Sequence, residues 1–421
     1  MAKINVIDSI MGSGKTSWAI QYMNEAPDTE RFIYITPLLD EVDRIEDKVK
    51  DRMFVQPDNK KGEGSKLRHL KDLLSQGVDI ASTHALFRAA DDEVEELLTD
   101  GGYTLILDEV MSCVEPVNLR KGDLPRLQRA RDIEIDPTTK RVIWIGDPDD
   151  NSRYTDIRLI AQAGNLYCYR DTLLVWAFPP NVFCAFDKVI IMTYLFRGQE
   201  QRYYLDMFGF DYEYNAISCV DGRYLLVEYD PKNEGREELY RLINVYQGKK
   251  NNIGYRQNAL SATQLRKRAE ASDKAFFKRV QDNLYGFFKN DAKAKRDDVY
   301  YSTLKEVEDK IQPRGYKEPR KRANQRQEDK RPQVVLPINV RATNRYADRW
   351  ALAYVFNRYM HQNVKAFFQD QGVSVEDDLL AVSDLLQWIY RSRIRNGEPI
   401  ELYLPSSRMR GLLEAWAKYE I

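Results

Sequence analysis

"SIMGSGKTS", Ser9 to Ser17, follows the apolar-rich run Ile4-Asn5-Val6-Ile7. The stretch reads as a strand that enters a tight turn and then a helix. Gly12 and Gly14 permit backbone angles that a β-carbon opposes, so successive amides can curve around an anion. Lys15 supplies a positive charge for β- and γ-phosphate oxygens, and Thr16 a hydroxyl for Mg²⁺ at a helix start whose dipole favours negative charge. The pattern is that of a phosphate loop, G-x-x-x-x-G-K-[ST], with Ser9 at the first glycine. Met11, Gly12, Ser13, Gly14, Lys15, Thr16 and Ser17 are therefore the expected nucleotide-binding residues.

Other segments set this loop in an α/β frame. "RFIYITPLLDEVDRIEDKV" gives a strand, a stop at Thr36-Pro37 and a helix. "VDIASTHALF" repeats the scheme, and "YTLILDEVMS" is a buried strand ending in Asp108-Glu109. Strands alternating with helices predict a parallel sheet, with ligands at the carboxyl ends of its strands. An apolar strand that delivers two acids to its tip suits Mg²⁺ on Asp108 and a water-activating base at Glu109.

The chain has 421 residues, enough for two domains. Its 64 basic and 65 acidic residues leave a net charge of -1, so any surface for a polyanion must be local. Four scattered cysteines and three histidines make a Cys/His metal site an unpromising reading, and scattered thiols suit a reducing compartment. No signal peptide and no apolar run near 18 residues is present, so a cytoplasmic protein with no membrane partner is expected.

Taken in order, GSGKTS, "ITPLLDE", "ASTHALF" and "LILDEV" resemble motifs I, Ia, Ib/Ic and II of superfamily 2 helicases. That resemblance implies two RecA-like P-loop lobes with mainly parallel sheets. It also assigns nucleic-acid contacts to Thr36, Ser82 and Thr83, contacts of the kind that position a strand without reading its sequence. The usual DExH/D ending is absent, because Val110 and Met111 follow Glu109. Eight residues precede Ser9, too few for the upstream glutamine motif of DEAD-box helicases, and ATP is taken as the expected nucleotide.

The domains are expected at 1–180, a first lobe with an insertion over about 113–180, and at 181–421. The second lobe is expected to open with "DKVIIMTYLF" and to carry a helical and basic insertion over about 250–333. "IQPRGYKEPRKRANQRQEDKRPQ", 311–333, holds eight Lys/Arg between Arg314 and Arg331 and reads as a polar linker with phosphate-binding potential. Further on, "VVLPINVRATNRYADR" resembles a strand leading into motif V, with Thr343 at the nucleic acid. "DDLLAVSDLLQWIYRSRIRNG" is an apolar-faced helix whose end resembles motif VI. It implies catalytic roles for Gln387, Arg391 and Arg395, with the two arginines sharing one helix face. Residues 333–418 also resemble helicase-like proteins of bacteriophage replication modules. An ATP-driven DNA motor, working with phage or host replication proteins, is the leading expectation. A terminase-like packaging ATPase and a non-unwinding ATPase switch on DNA share its first signals.

Overall fold

Ile4, Val6 and Ile7 are almost wholly buried in the first strand, β1 (Lys3–Asp8), and this strand lies inside a sheet rather than at its edge. A computed structural model describes residues 3–117, 119–120, 122–149, 151–317, 333–338 and 345–421. The chain divides into two units, Met1–Tyr229 with His361–Val375, and Asp230–Met360 with Glu376–Ile421.

In the first unit β1 is followed by the helix α1 (Lys15–Glu25), β2 (Arg31–Thr36), β3 (Phe54–Val55), β4 (Asp79–Thr83) and β5 (Tyr103–Asp108). Residues 114–177 then form β6 (Val114–Pro116), β7 (Ile133–Ile135), β8 (Val142–Trp144), β9 (Leu166–Tyr169) and β10 (Leu173–Ala177). These five make two small antiparallel sheets, β6-β10-β9 and β7-β8. They fold over a core of their own that includes Leu127, Val142, Leu166 and Leu174. The chain returns with β11 (Lys188–Thr193) and the hairpin of β12 (Tyr212–Val220) and β13 (Arg223–Glu228).

The main sheet runs β13-β12-β1-β11-β5-β2-β4-β3, parallel throughout except for β13. All six residues of β5 are buried, as expected of a parallel strand covered on both faces. The expected boundary at 180 is therefore corrected. "DKVIIMTYLF" does not open a second domain, because its strand β11 is hydrogen-bonded between β1 and β5 in the middle of the first sheet. The first unit continues through β13 to Tyr229 and includes the helix Gln362–Asp370.

The second unit holds four parallel strands in the order β14-β17-β16-β15: β14 (Ile243–Val245), β15 (Val299–Ser302), β16 (Ala351–Tyr354) and β17 (Ile400–Tyr403). Its core is aromatic. Trp388 meets Tyr300 at 4.7 Å and Tyr354 at 5.1 Å between ring centroids, both edge-on. The segment expected to be only helical and basic, 250–333, contains the fully buried strand β15. Four residues are too short a run for a periodicity to reveal.

One buried carboxylate fixes β1 to the chain that follows β11. Asp8, 1% exposed, accepts the backbone N–H groups of Leu195 at 2.8 Å and Phe196 at 2.9 Å, and Leu195 is left-handed with φ 54°. Replacing Asp8 by Ala removes two hydrogen bonds to a charged group and should lower unfolding free energy by about 3 kcal/mol in urea titrations. A loss below about 1 kcal/mol would mean that this carboxylate is dispensable for the junction.

Candidate functional site

The carboxyl ends of β1, β11, β5, β2 and β4 lie side by side and form a polar row. The strand registers bring Asp8 beside Thr193, Met192 beside Asp108, and Thr36 beside Thr83. The phosphate loop rises from the β1 end of this row. Gly12 and Gly14 have φ of 80° and 92°, and Gly14 precedes the first residue of α1. The Lys15 ammonium turns back onto its own loop, 2.5 Å from the Ser9 carbonyl oxygen and 3.1 Å from that of Ile10. Ser9, at the position of the missing glycine, is 3% exposed, and its hydroxyl accepts the Ile217 N–H at 2.8 Å. A serine thus serves here because its side chain is used to bind β12.

The loop and the acidic strand end meet directly. The Thr16 hydroxyl donates to Asp108 Oδ2 at 3.2 Å, and the Tyr34 hydroxyl donates to the same oxygen at 2.6 Å. Burial pushes the Asp108 carboxyl up to about 6, assisted by Glu109 and Glu41 and opposed by Tyr34 and Lys15. Glu109 follows in a left-handed conformation, φ 73°, costly for a residue with a β-carbon. Its N–H is bonded to the Met192 carbonyl at 2.9 Å, and its Oε2 is buried with no hydrogen-bond partner among the described residues. A strained residue with an orphaned carboxylate oxygen is the form expected of a group that waits for a ligand or water. The hydroxyls of Ser13 and Thr193 are likewise buried without partners among the described residues.

These residues fit a magnesium–nucleotide complex. A hydroxyl and a carboxylate of the types that bind Mg²⁺ are already within hydrogen-bond distance of each other. Gly14 itself is required by its neighbour, since a Cβ built there would collide with the Tyr224 ring.

Three residues escaped the sequence reading. Tyr34 lies in an apolar strand, where its hydroxyl carries no motif. Tyr224 packs against Gly14 from β13, and its backbone is tied to α1 through Gln21 by two bonds of 3.1 Å. Gln201 accepts the Met111 N–H at 3.0 Å and so fixes the chain just beyond Glu109. None of them has a local signal, because each acts through a partner far away in sequence.

The expected nucleic-acid contacts fare differently. Thr36 and Ser82 are buried, at 0% and 4% exposure, and the Thr36 hydroxyl has no hydrogen-bond partner among the described residues. Thr83 is half-buried beside Thr36, and Thr343 lies outside the described residues. In the second unit Gln387 is 6% exposed, with its amide nitrogen 3.5 Å from the Ser383 hydroxyl. Arg391 and Arg395 do not share a helix face. The helix Asp377–Ile389 ends before them, and Arg395 falls in the separate 3₁₀ turn Arg393–Asn396. The cause is Ser392, whose hydroxyl donates to the Ile389 carbonyl at 2.7 Å and accepts the Ile394 N–H at 3.4 Å.

Family models match two segments of the chain: the YonV middle domain at residues 114–176 and the YonV C-terminal Rossmann-like domain at 237–417. The SPbeta prophage-derived uncharacterized protein YonV of Bacillus subtilis strain 168 is 36% identical over 427 residues, covering 99% of each chain. The chain belongs to the YonV family. The YonV middle-domain match falls on the two small antiparallel sheets, and the YonV Rossmann-like match takes in the four parallel strands of the second unit together with His361–Val375 of the first. Among solved structures, S. tokodaii Xpd4 covers 100% of this chain and 94% of its own at 12% identity and a TM-score of 0.48. The DUF1998 helicase MrfA, bound to DNA and AMPPNP, covers 99% and 48% at 10% identity and a TM-score of 0.34. No helix among the described residues is long and apolar enough to cross a membrane.

Because the folded value of Asp108 lies above the ordinary 3.8, its proton stabilises the fold below that value, and this contribution is lost as pH rises through about 6. Tyr34→Phe removes a donor to the ionised form. It should cost about 1.5–3 kcal/mol at pH 8 and clearly less at pH 5, read from urea titrations at both pH values. Equal losses at the two pH values would show that Tyr34 acts by packing alone.

Proposed function

We propose that this chain is an ATP-hydrolysing nucleic-acid motor, most simply a phage-type DNA helicase or translocase of two RecA-like lobes. The observation that carries the reading is the hydrogen bond from Thr16 to Asp108, with the strained Glu109, whose Oε2 has no partner among the described residues, next in sequence. A phosphate loop alone binds nucleotide. A loop joined to an acidic strand tip with a free carboxylate oxygen has the groups needed for hydrolysis.

In this reading the amides from Gly12 to Thr16 surround the β- and γ-phosphates. Lys15 leaves the Ser9 and Ile10 carbonyls for phosphate oxygens, an exchange of two neutral acceptors for an anion that favours binding. Thr16 and Asp108 would hold Mg²⁺, whose chemistry when bound is to neutralise charge that builds on the phosphate oxygens. Glu109 Oε2 orients a water and accepts its proton as the water oxygen bonds to the γ-phosphorus and the bond to the bridging oxygen breaks, giving ADP and phosphate. Arg391 and Arg395, no longer paired by one helix face, are each proposed as a cation for the γ-phosphate. A substrate strand as DNA, and phage or host replication proteins as partners, are proposed with the motor.

Lys15→Ala should weaken binding of a fluorescent ATP analogue. Glu109→Gln should leave that binding intact and lower kcat by about 10²-fold or more. Wild-type turnover in Glu109→Gln removes the glutamate from catalysis and with it the motor reading. Arg391→Ala and Arg395→Ala, tested separately, should each lower kcat by about 10²-fold if that arginine is the transition-state cation. A strand-displacement assay on a forked duplex separates the reading from its rivals. ATP hydrolysis stimulated by DNA with no displacement would favour the non-unwinding switch or a packaging ATPase.

A further inference from the structure

A cavity of about 860 Å³ opens on the second unit, lined among others by Lys289, Lys293, Lys295, Arg296, Arg314 and Tyr285. It is built around an irregular piece of chain. The helix Lys274–Gly286 runs into a π-turn, Phe287–Asp291, and Lys293 follows in the left-handed region with φ 55°. Such wide turns and positive-φ side chains collect at functional sites because a fold gains nothing from them locally. The floor is firm: Tyr316 packs on Phe288 at 5.2 Å and donates its hydroxyl to the Ala294 carbonyl at 2.7 Å. Arg296 reaches across to the Lys317 carbonyl at 3.4 Å, joining the segment after 292 to the segment around 315.

The charge here is one-sided. Three carboxylates lie nearby, and each has a use. Asp297 pairs with Arg296 at 2.8 Å, Asp291 with Lys250 at 2.7 Å, and Asp298 accepts the backbone N–H of Lys295 at 2.7 Å. Lys289, Lys293, Lys295 and Arg314 form no ion pair among the described residues and are exposed. Arg296 Nη2 is buried without a hydrogen-bond partner among the described residues. In a chain of net charge -1, four unpaired cations around one concavity are a local excess that favours an anion. Tyr285, 37% exposed, adds an aromatic face at the same cavity.

We propose that this cavity binds single-stranded nucleic acid, its cations on consecutive phosphates and Tyr285 stacked on a base. Unpaired lysines and arginines beside an exposed ring are the combination that holds an unpaired strand, because phosphates supply charge while only unstacked bases offer a free face. The choice of ligand rests on the motor reading above; the cavity and its charges do not.

The test is fluorescence anisotropy of a labelled oligothymidylate, and of a duplex of equal length, with the full chain over a salt series without nucleotide. The triple variant Lys289→Gln, Lys295→Gln, Arg314→Gln should lower the single-strand salt slope by about 2, at roughly 0.7 per lost phosphate contact. The charge-keeping set Lys289→Arg, Lys295→Arg, Arg314→Lys should keep the slope. Tyr285→Ala should weaken the oligothymidylate about fivefold or more with its slope unchanged and affect the duplex little. An unchanged slope in the triple variant overturns the proposal. A loss confined to the duplex, with Tyr285→Ala silent, also overturns it and makes the cavity a grip for duplex backbone. ATP hydrolysis is measured on the same proteins with and without the oligothymidylate. Strand binding through the cavity without any hydrolysis refutes the motor and leaves the cavity standing, and hydrolysis with an unchanged slope does the reverse.

Discussion

Asp108 ends a strand in which every residue is buried, and an ionised carboxylate there must be satisfied or take up a proton. Tyr34 and Thr16 both donate to the same oxygen of Asp108, one from the neighbouring strand and one from the first turn of α1. That shared oxygen joins the phosphate loop to the sheet. Without it the loop would still be tied to β12 through Ser9 and to β13 through Tyr224, but nothing in the loop would bond the acidic strand tip. The raised proton affinity of Asp108 is the cost of holding a charge this dry.

The placement of β11 follows from the same need. A strand between β1 and β5 spaces the phosphate loop from the acidic tip, and its Met192 carbonyl takes the Glu109 N–H. That bond holds Glu109 in its left-handed conformation, so the strain is maintained by a sheet buried on both sides rather than by the residue itself. Asp8 then ties the turn after β11 back to β1. The site is a set of strand ends locked in register, with the loop as the one part built from glycine.

The second unit uses different means. Its parallel sheet is filled with tryptophan and tyrosine, and its irregular chain is collected around Lys274–Ala294, where the cationic cavity lies. Polar groups that a motif search passes over carry the structure here. Ser392 is one of them. Its hydroxyl bonds the last carbonyl of an apolar helix, and Arg391 and Arg395 fall beyond that helix, Arg395 in a separate 3₁₀ turn, although their spacing of four suits a common face.

The sequence by itself determined whatever is encoded in a contiguous run. The phosphate loop was legible because positive φ at Gly12 and Gly14 and the Lys15-Thr16 pair fall within a few residues. Asp108 and Glu109 were legible because a continuous apolar run marks a strand buried on both faces, and its tip follows from counting. The alternation of strands and helices gave the parallel α/β class for the same local reason. Only the tertiary structure decided the strand order, and with it that β11 belongs to the first unit, because hydrogen bonding between strands is a choice among distant partners. It alone decided that Tyr34, Tyr224 and Gln201 serve the site, and that Thr36 and Ser82 are buried under it. It also gathered lysines from 289 to 295 and an arginine at 314 into one concave surface. Each of those depends on a packing or a turn that no short window of residues contains.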